Sequence, residues 1–116
     1  MLTLSDILEC FSGRRFQSLA ANRVPNFTID SRDVKEGDVF VAFKGERVDG
    51  NDYARTAIER GAALVIIDAA KTAALGGLGV TILKAGAWNL VPDALITPLA
   101  LAVDDTEGAL QQLASW

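Results

Sequence analysis

The chain has 116 residues, 50% of them apolar, and a formal net charge of −4 from 15 acidic and 11 basic side chains. That length fits one domain with its own core and is too short for two; the acidic balance excludes the concentrated basic field that nucleic-acid binding requires. One cysteine, Cys10, and no histidine exclude an internal disulfide, a Cys/His zinc site, and Ser-His-Asp or Cys-His catalysis.

The predicted elements run as follows. Residues 3–11 read as a helix: Thr3 and Asp6 form a capping-box pair, Leu4, Ile7, Leu8 and Phe11 recur at helical spacing, and Gly13 supplies the stop. Cys10 falls within that pattern and is expected to be an inert, buried thiol. Residues 14–26 are mixed, with room for a short strand and a loop ending near Pro25. Phe27–Asp30 reads as a short strand, and residues 34–38 as a turn with Gly37 at its tight position. The run from Asp38 to Phe43 is apolar, β-branched and aromatic, the composition of a buried strand. A polar loop with Gly45 and Gly50 leads into a helix over 51–60, capped by Asn51 or Asp52, with Tyr53, Ala54, Ala57 and Ile58 on its apolar stripe and Gly61 at its end.

Ala62–Ile67 is a continuous apolar run, as in a strand buried on both faces, so strand, helix and strand here form a βαβ unit. A short helix over 69–75 is broken by Gly76-Gly77-Leu78-Gly79, which reads as a plain loop because the Lys-Ser/Thr of a phosphate-binding loop is missing. Val80–Leu83 is a further strand. Residues 85–98 carry Gly86, Trp88, Pro92 and Pro98 without a period; an irregular excursion is expected, with Trp88 anchoring it to the domain or meeting another one. Leu99–Val103 is a strand, and Asp104 or Asp105 caps a last helix with Ala109, Leu110, Leu113 and Ala114 on one face. The alternation predicts one small α/β domain: a mixed, twisted sheet flanked by helices, with Val39, Val41, Leu64, Ile66 and Ile67 buried. The opening residues lack a signal-peptide pattern and no stretch has the length of a membrane span, so a cytoplasmic protein without membrane partners is expected.

Chemistry is sparse. Two polar clusters, Asp30-Ser31-Arg32 and Lys44-Gly45-Glu46-Arg47, fall at strand ends, where α/β proteins place ligands. Arg, Lys and Ser are the donors a phosphate needs. On residue types alone, two solvated turns with routine ion pairs are the simpler account of both clusters.

The stretch 27–53 resembles the N-terminal domain of the Mur ligases. The resemblance rests on Asp30-Ser31-Arg32, Gly37-Asp38-Val39-Phe40-Val41-Ala42, Lys44-Gly45 and Asp49-Gly50-Asn51-Asp52-Tyr53, followed by Ala57-Ile58-Glu59-Arg60-Gly61-Ala62-Ala63. Val103-Asp104-Asp105-Thr106-Glu107 near the end is similar to a helix start in that family. The match covers 27–68 and 101–116, with a weaker one at 2–13. Asn51 stands where the family usually has His.

This resemblance implies a role in peptidoglycan precursor synthesis. Such ligases use ATP and Mg²⁺ to convert a peptide carboxylate to an acyl phosphate that an amine attacks; their N-terminal domain holds the UDP part of a UDP-N-acetylmuramoyl peptide. The whole chain, 1–116, is expected to be that domain alone: no Gly-x-x-Gly-Lys-Thr run occurs in it, so no cofactor and no ligase activity are expected of the isolated chain. Its implied partners are the UDP-linked peptide and the ATP-binding and C-terminal domains. The resemblance places the UDP against Ile29, Ser31 and Arg32 on one side and Glu46, Arg47 and Val48 on the other, with Arg32 as either a phosphate ligand or a brace to Asp30 or Asp49. The opening Leu2–Ile7 and the phrase Phe43–Arg47 favour the MurF subtype, which adds D-Ala-D-Ala; MurE, which adds the third peptide residue, is the alternative. A stand-alone nucleotide- or protein-binding module is a third reading, and the coding sequence after Trp116 distinguishes it from a ligase.

Overall fold

The computed structural model describes residues 2–44 and 49–115. Five strands form one sheet: β1 (Phe27–Thr28), β2 (Val39–Val41), β3 (Leu64–Asp68), β4 (Thr81–Lys84) and β5 (Leu99–Val103), in spatial order β1-β2-β3-β5-β4. All four pairings are parallel. The expected α/β sheet flanked by helices is present, but it is parallel rather than mixed. Each link between strands crosses from one sheet end back to the other, and among the described residues the antiparallel pairings are two isolated bridges, Thr3 with Arg23 and Lys44 with Asp49. The bridge at Arg23 and a 3₁₀ turn at Gln17–Leu19 replace the strand anticipated within 14–26.

Side-chain alternation along the strands divides the core in two. Val39, Val41, Leu64, Ile66, Leu99 and Leu101 point to one face, where Leu4, Ile7 and Leu8 of α1 (Leu4–Ser12) and Ala109 of α3 (Thr106–Ala114) cover them. Phe40, Ala42, Val65, Ile67 and Ala100 point to the other, beneath Ala54, Ala57 and Ile58 of α2 (Ala54–Glu59) and Leu75 of a 3₁₀ helix at Ala69–Leu75. The second face is rich in alanine, which lets α2 approach the sheet closely. Fully burying each large aliphatic side chain contributes about 1.5–3 kcal/mol, so these two layers dominate the stability of the domain.

The connections obey one rule of hand. Three successive links, β1 to β2 to β3 to β4, move in the same direction across the sheet, and their buried residues Val34, Ile58 and Leu75 all lie on the alanine-rich face. The step back from β4 to β5 passes over the opposite face, where Leu95 is buried. Reversing direction while keeping the crossover hand requires that change of face.

Helix ends are set locally. Thr3 and Asp6 make the full capping box, with N–H···O distances of 3.2 and 2.8 Å, and Gly13 closes α1 in the left-handed region at φ 69°. Asp105 caps α3 by accepting the Glu107 N–H. The helix expected over 51–60 is split: Gly50–Tyr53 winds as a 3₁₀ turn and only Ala54–Glu59 is α. Cys10, expected to be buried, is half-buried, and desolvation pushes its thiol pKa up.

Residues 85–98 form the expected irregular excursion, with one 3₁₀ turn at Trp88–Leu90. It is pinned at its centre. Arg14 donates from Nη1 to the Trp88 carbonyl at 2.8 Å, pairs with Asp93, and lies 4.6 Å over the Phe16 ring, which meets the Trp88 ring at 6.2 Å. Ser18 Oγ donates to the Asp93 carbonyl and accepts from Leu95 N–H. Trp88 is therefore an anchor onto the domain.

Candidate functional site

An open cleft of about 530 Å³ is lined by Ile29, Asp30, Ser31, Arg32, Phe43, Gly50 and Tyr53. Residues 29–32 follow the carboxyl end of β1 and Phe43 follows that of β2, the edge of a parallel sheet at which ligands collect. Of the six residues expected to bind a ligand, the structure brings Ile29, Ser31 and Arg32 to this one cleft. Glu46, Arg47 and Val48 lie outside the described residues.

The β1 end is built on Asp30. Its carboxylate accepts the Arg32 N–H at 2.9 Å, which opens a 3₁₀ turn at Ser31–Asp33, and receives the Arg32 guanidinium through Nε at 3.0 Å and Nη2 at 2.7 Å. The Arg32 side chain and backbone N–H together hold the Asp30 carboxyl down at a pKa of about 2. Of the two roles weighed for Arg32, the brace to Asp30 is the one seen. The Arg60 guanidinium donates to the Arg32 carbonyl at 3.0 Å, tying the turn to the end of α2. Ser31 is buried. Ile29 is 54% exposed at the cleft.

The opposite wall is set by Gly50 and Asn51. Gly50 N–H donates to the Phe43 carbonyl at 2.8 Å, and a Cβ at residue 50 would stand 2.7 Å from both Phe43 N and O. Only glycine fits there. Asp49 accepts from the Asn51 backbone at 3.0 Å and from its side-chain amide at 2.7 Å, and these two bonds hold the Asp49 carboxyl below the ordinary carboxylate range. Asn51 is buried; its side-chain oxygen accepts the Asp68 N–H at the end of β3. A neutral amide thus performs both halves of this brace, as acceptor and donor.

Three lining residues escaped the sequence reading: Phe43, Gly50 and Tyr53. Tyr53 was expected on the buried stripe of a helix over 51–60. A turn with three residues per revolution carries it off that stripe, and it is 44% exposed at the cleft wall. The only available signal was the Asp-Gly-Asn-Asp-Tyr run itself. A second, more polar cleft of about 400 Å³ lies across the Ser31–Asp33 turn and shares Arg32 with the first.

A parallel sheet between helical layers, with a cleft beyond its strand ends, is the arrangement of an α/β ligand-binding domain. The family model described as "Mur ligase family, catalytic domain" matches residues 23–115, and the chain belongs to that family. Among similar proteins, the UDP-N-acetylmuramoyl-L-alanyl-D-glutamate–2,6-diaminopimelate ligase of Bacillus licheniformis is 48% identical over 54 residues, 44% of this chain and 11% of the ligase. The ligase of the same name from Chlamydia caviae is 39% identical over 61 residues, 53% of this chain and 13% of its own length. That of Rickettsia conorii is 42% identical over 52 residues, 45% of this chain and 11% of the ligase. The matched stretches therefore span roughly a tenth of the length of these curated relatives. They are diaminopimelate-adding ligases, whereas the opening residues and the phrase at 43–47 had favoured the D-Ala-D-Ala-adding subtype. No helix among the described residues is long and apolar enough to cross a membrane.

Proposed function

We propose that this chain is the UDP-recognition domain of a MurE-type ligase, which joins an amino acid such as 2,6-diaminopimelate to a UDP-N-acetylmuramoyl dipeptide in the cytoplasm. Membership of the Mur ligase family and the names of the similar ligases support the reading. The observation that carries it is the cleft beyond β1 and β2, where Ile29, Ser31 and Arg32 converge.

Ile29 and Phe43 offer apolar contact to a flat base or ribose. The Ser31 hydroxyl supplies a donor to the diphosphate, with Arg32 adding field while it stays paired with Asp30. Glu46, Arg47 and Val48 are proposed to contact the same ligand. The bond-forming chemistry belongs to other domains of the ligase. ATP phosphates and Mg²⁺ need a phosphate cradle and clustered oxygen ligands. The sequence has no Gly-x-x-Gly-Lys-Thr run, and no three His, Cys, Asp or Glu side chains converge among the described residues. The isolated chain is proposed to bind UDP weakly and to turn over no ATP.

Titration of UDP and of UDP-N-acetylmuramoyl dipeptide into ¹⁵N-labelled protein tests this. Amide shifts clustered at 29–32 and 44–49, weakened by Ser31→Ala, are expected at millimolar ligand. Shifts elsewhere, or none, would overturn the reading.

A further inference from the structure

We infer that the ring of Tyr53 is the face on which the ligand's flat heterocycle stacks; this rests on the reading of the cleft as a nucleotide site. The cleft is divided in kind. Ile29, Phe43 and Tyr53 make an apolar part, and Asp30, Ser31 and Arg32 a polar one. A ligand that fits both has a planar, weakly polar ring joined to a hydroxylated or anionic chain, the constitution of a nucleoside diphosphate.

Tyr53 is the aromatic residue of this cleft with the most open ring. The fold buries Phe16 and Phe40 completely, while Phe43 is half-buried and Tyr53 is 44% exposed. Such a ring gains by being covered, and stacking accepts any base because every base has a π face. Tyr53 is also held in place from both sides. The Gly50 contact with Phe43 and the Asp49–Asn51–Asp68 brace fix the backbone before it, and α2 starts at the next residue. A platform fixed in this way loses little freedom when a ring settles on it.

Tyr53 is the sole tyrosine of the chain, so its ring signals in a ¹³C-tyrosine-labelled sample are unambiguous. On adding UDP to the full chain, the uracil H5 and H6 resonances are expected to move upfield and to show intermolecular NOEs to the Tyr53 ring; ribose 5-phosphate, which lacks the base, should give neither. Tyr53→Leu should weaken UDP binding about tenfold, the size of one modest stacking contact, and Tyr53→Phe, which keeps the ring, should rescue it. If UDP shifts the amides of 29–32 but leaves the Tyr53 ring and the uracil protons unmoved, stacking is overturned while the nucleotide reading stands. If UDP perturbs no part of the cleft, the nucleotide reading falls and the stacking role falls with it.

Discussion

The side-chain oxygen of Asn51 accepts the backbone N–H of Asp68 at 2.8 Å, joining the turn that forms one wall of the cleft to the carboxyl end of β3. The same side chain donates to Asp49 at 2.7 Å, so one buried amide holds two segments that share no regular secondary structure.

Asn51→Ala should destabilise the domain by about 1–3 kcal/mol, because it leaves the partly buried Asp68 N–H without its partner and takes one of two donors from the Asp49 carboxylate. Asn51→Asp should cost at least as much at neutral pH, since it keeps an acceptor for Asp68 but sets a second negative charge against Asp49. Urea denaturation checks both, with a lower midpoint and an unchanged slope expected.

Gly50→Ala is expected to be among the most damaging small changes in the chain, costing more than about 2 kcal/mol, because the new methyl meets backbone atoms that cannot turn aside. Gly76→Ala is the control: its φ is negative and its nearest neighbour, the Ala73 carbonyl, would be 3.5 Å away. It should change stability by no more than about 0.5 kcal/mol. Similar denaturation midpoints for the two variants would contradict the close approach of Gly50 to the Phe43 backbone.

The Asp30–Arg32 pair fixes a pH response. Asp30 titrates at about 2 in the folded protein, below its ordinary 3.8. A carboxyl depressed on folding binds fewer protons than it does unfolded, so its contribution is fully present above about pH 4 and is lost as the pH falls through 2. The pair is solvent-exposed, so salt should shrink the effect. Titrating the Asp30 side-chain carboxyl by NMR should give a midpoint near 2, moving up toward the ordinary value in Arg32→Ala and at high salt.

Arg14 should matter for the 85–98 excursion. Arg14→Ala removes the bond to the Trp88 carbonyl, the pair with Asp93 and the contact over Phe16. A loss of about 1–2 kcal/mol is expected, together with a red shift and stronger acrylamide quenching of Trp88 emission. Trp88→Phe, which leaves Trp116 as the only indole, supplies the reference spectrum.

The order and type of the elements were legible from local pattern. Thr3 with Asp6, Gly13, the apolar run at 62–67 and the apolar Leu99–Val103 each carry their signal within a few residues, and the five core positions expected to be buried are fully so. Ile29, Ser31 and Arg32 were named only through the family resemblance, since residue types alone favoured two solvated turns; the structure sets the three in one cleft. Strand direction was not local information. Whether β5 runs parallel to β3 depends on where the chain travels between 84 and 99, and that path is fixed by Arg14 and Ser18, some 75 residues earlier. The exposure of Tyr53 likewise follows from the packing of Gly50 against Phe43, a contact across the loop that no periodicity encodes. By itself the sequence determined the elements, their caps and their buried faces, because backbone preference and hydrophobic period act over one or two turns. Only the tertiary structure decided that the sheet is wholly parallel, that Arg32 is spent on Asp30, and that Phe43, Gly50 and Tyr53 line the cleft, because each of these depends on groups from separate segments meeting at hydrogen-bonding or van der Waals distance.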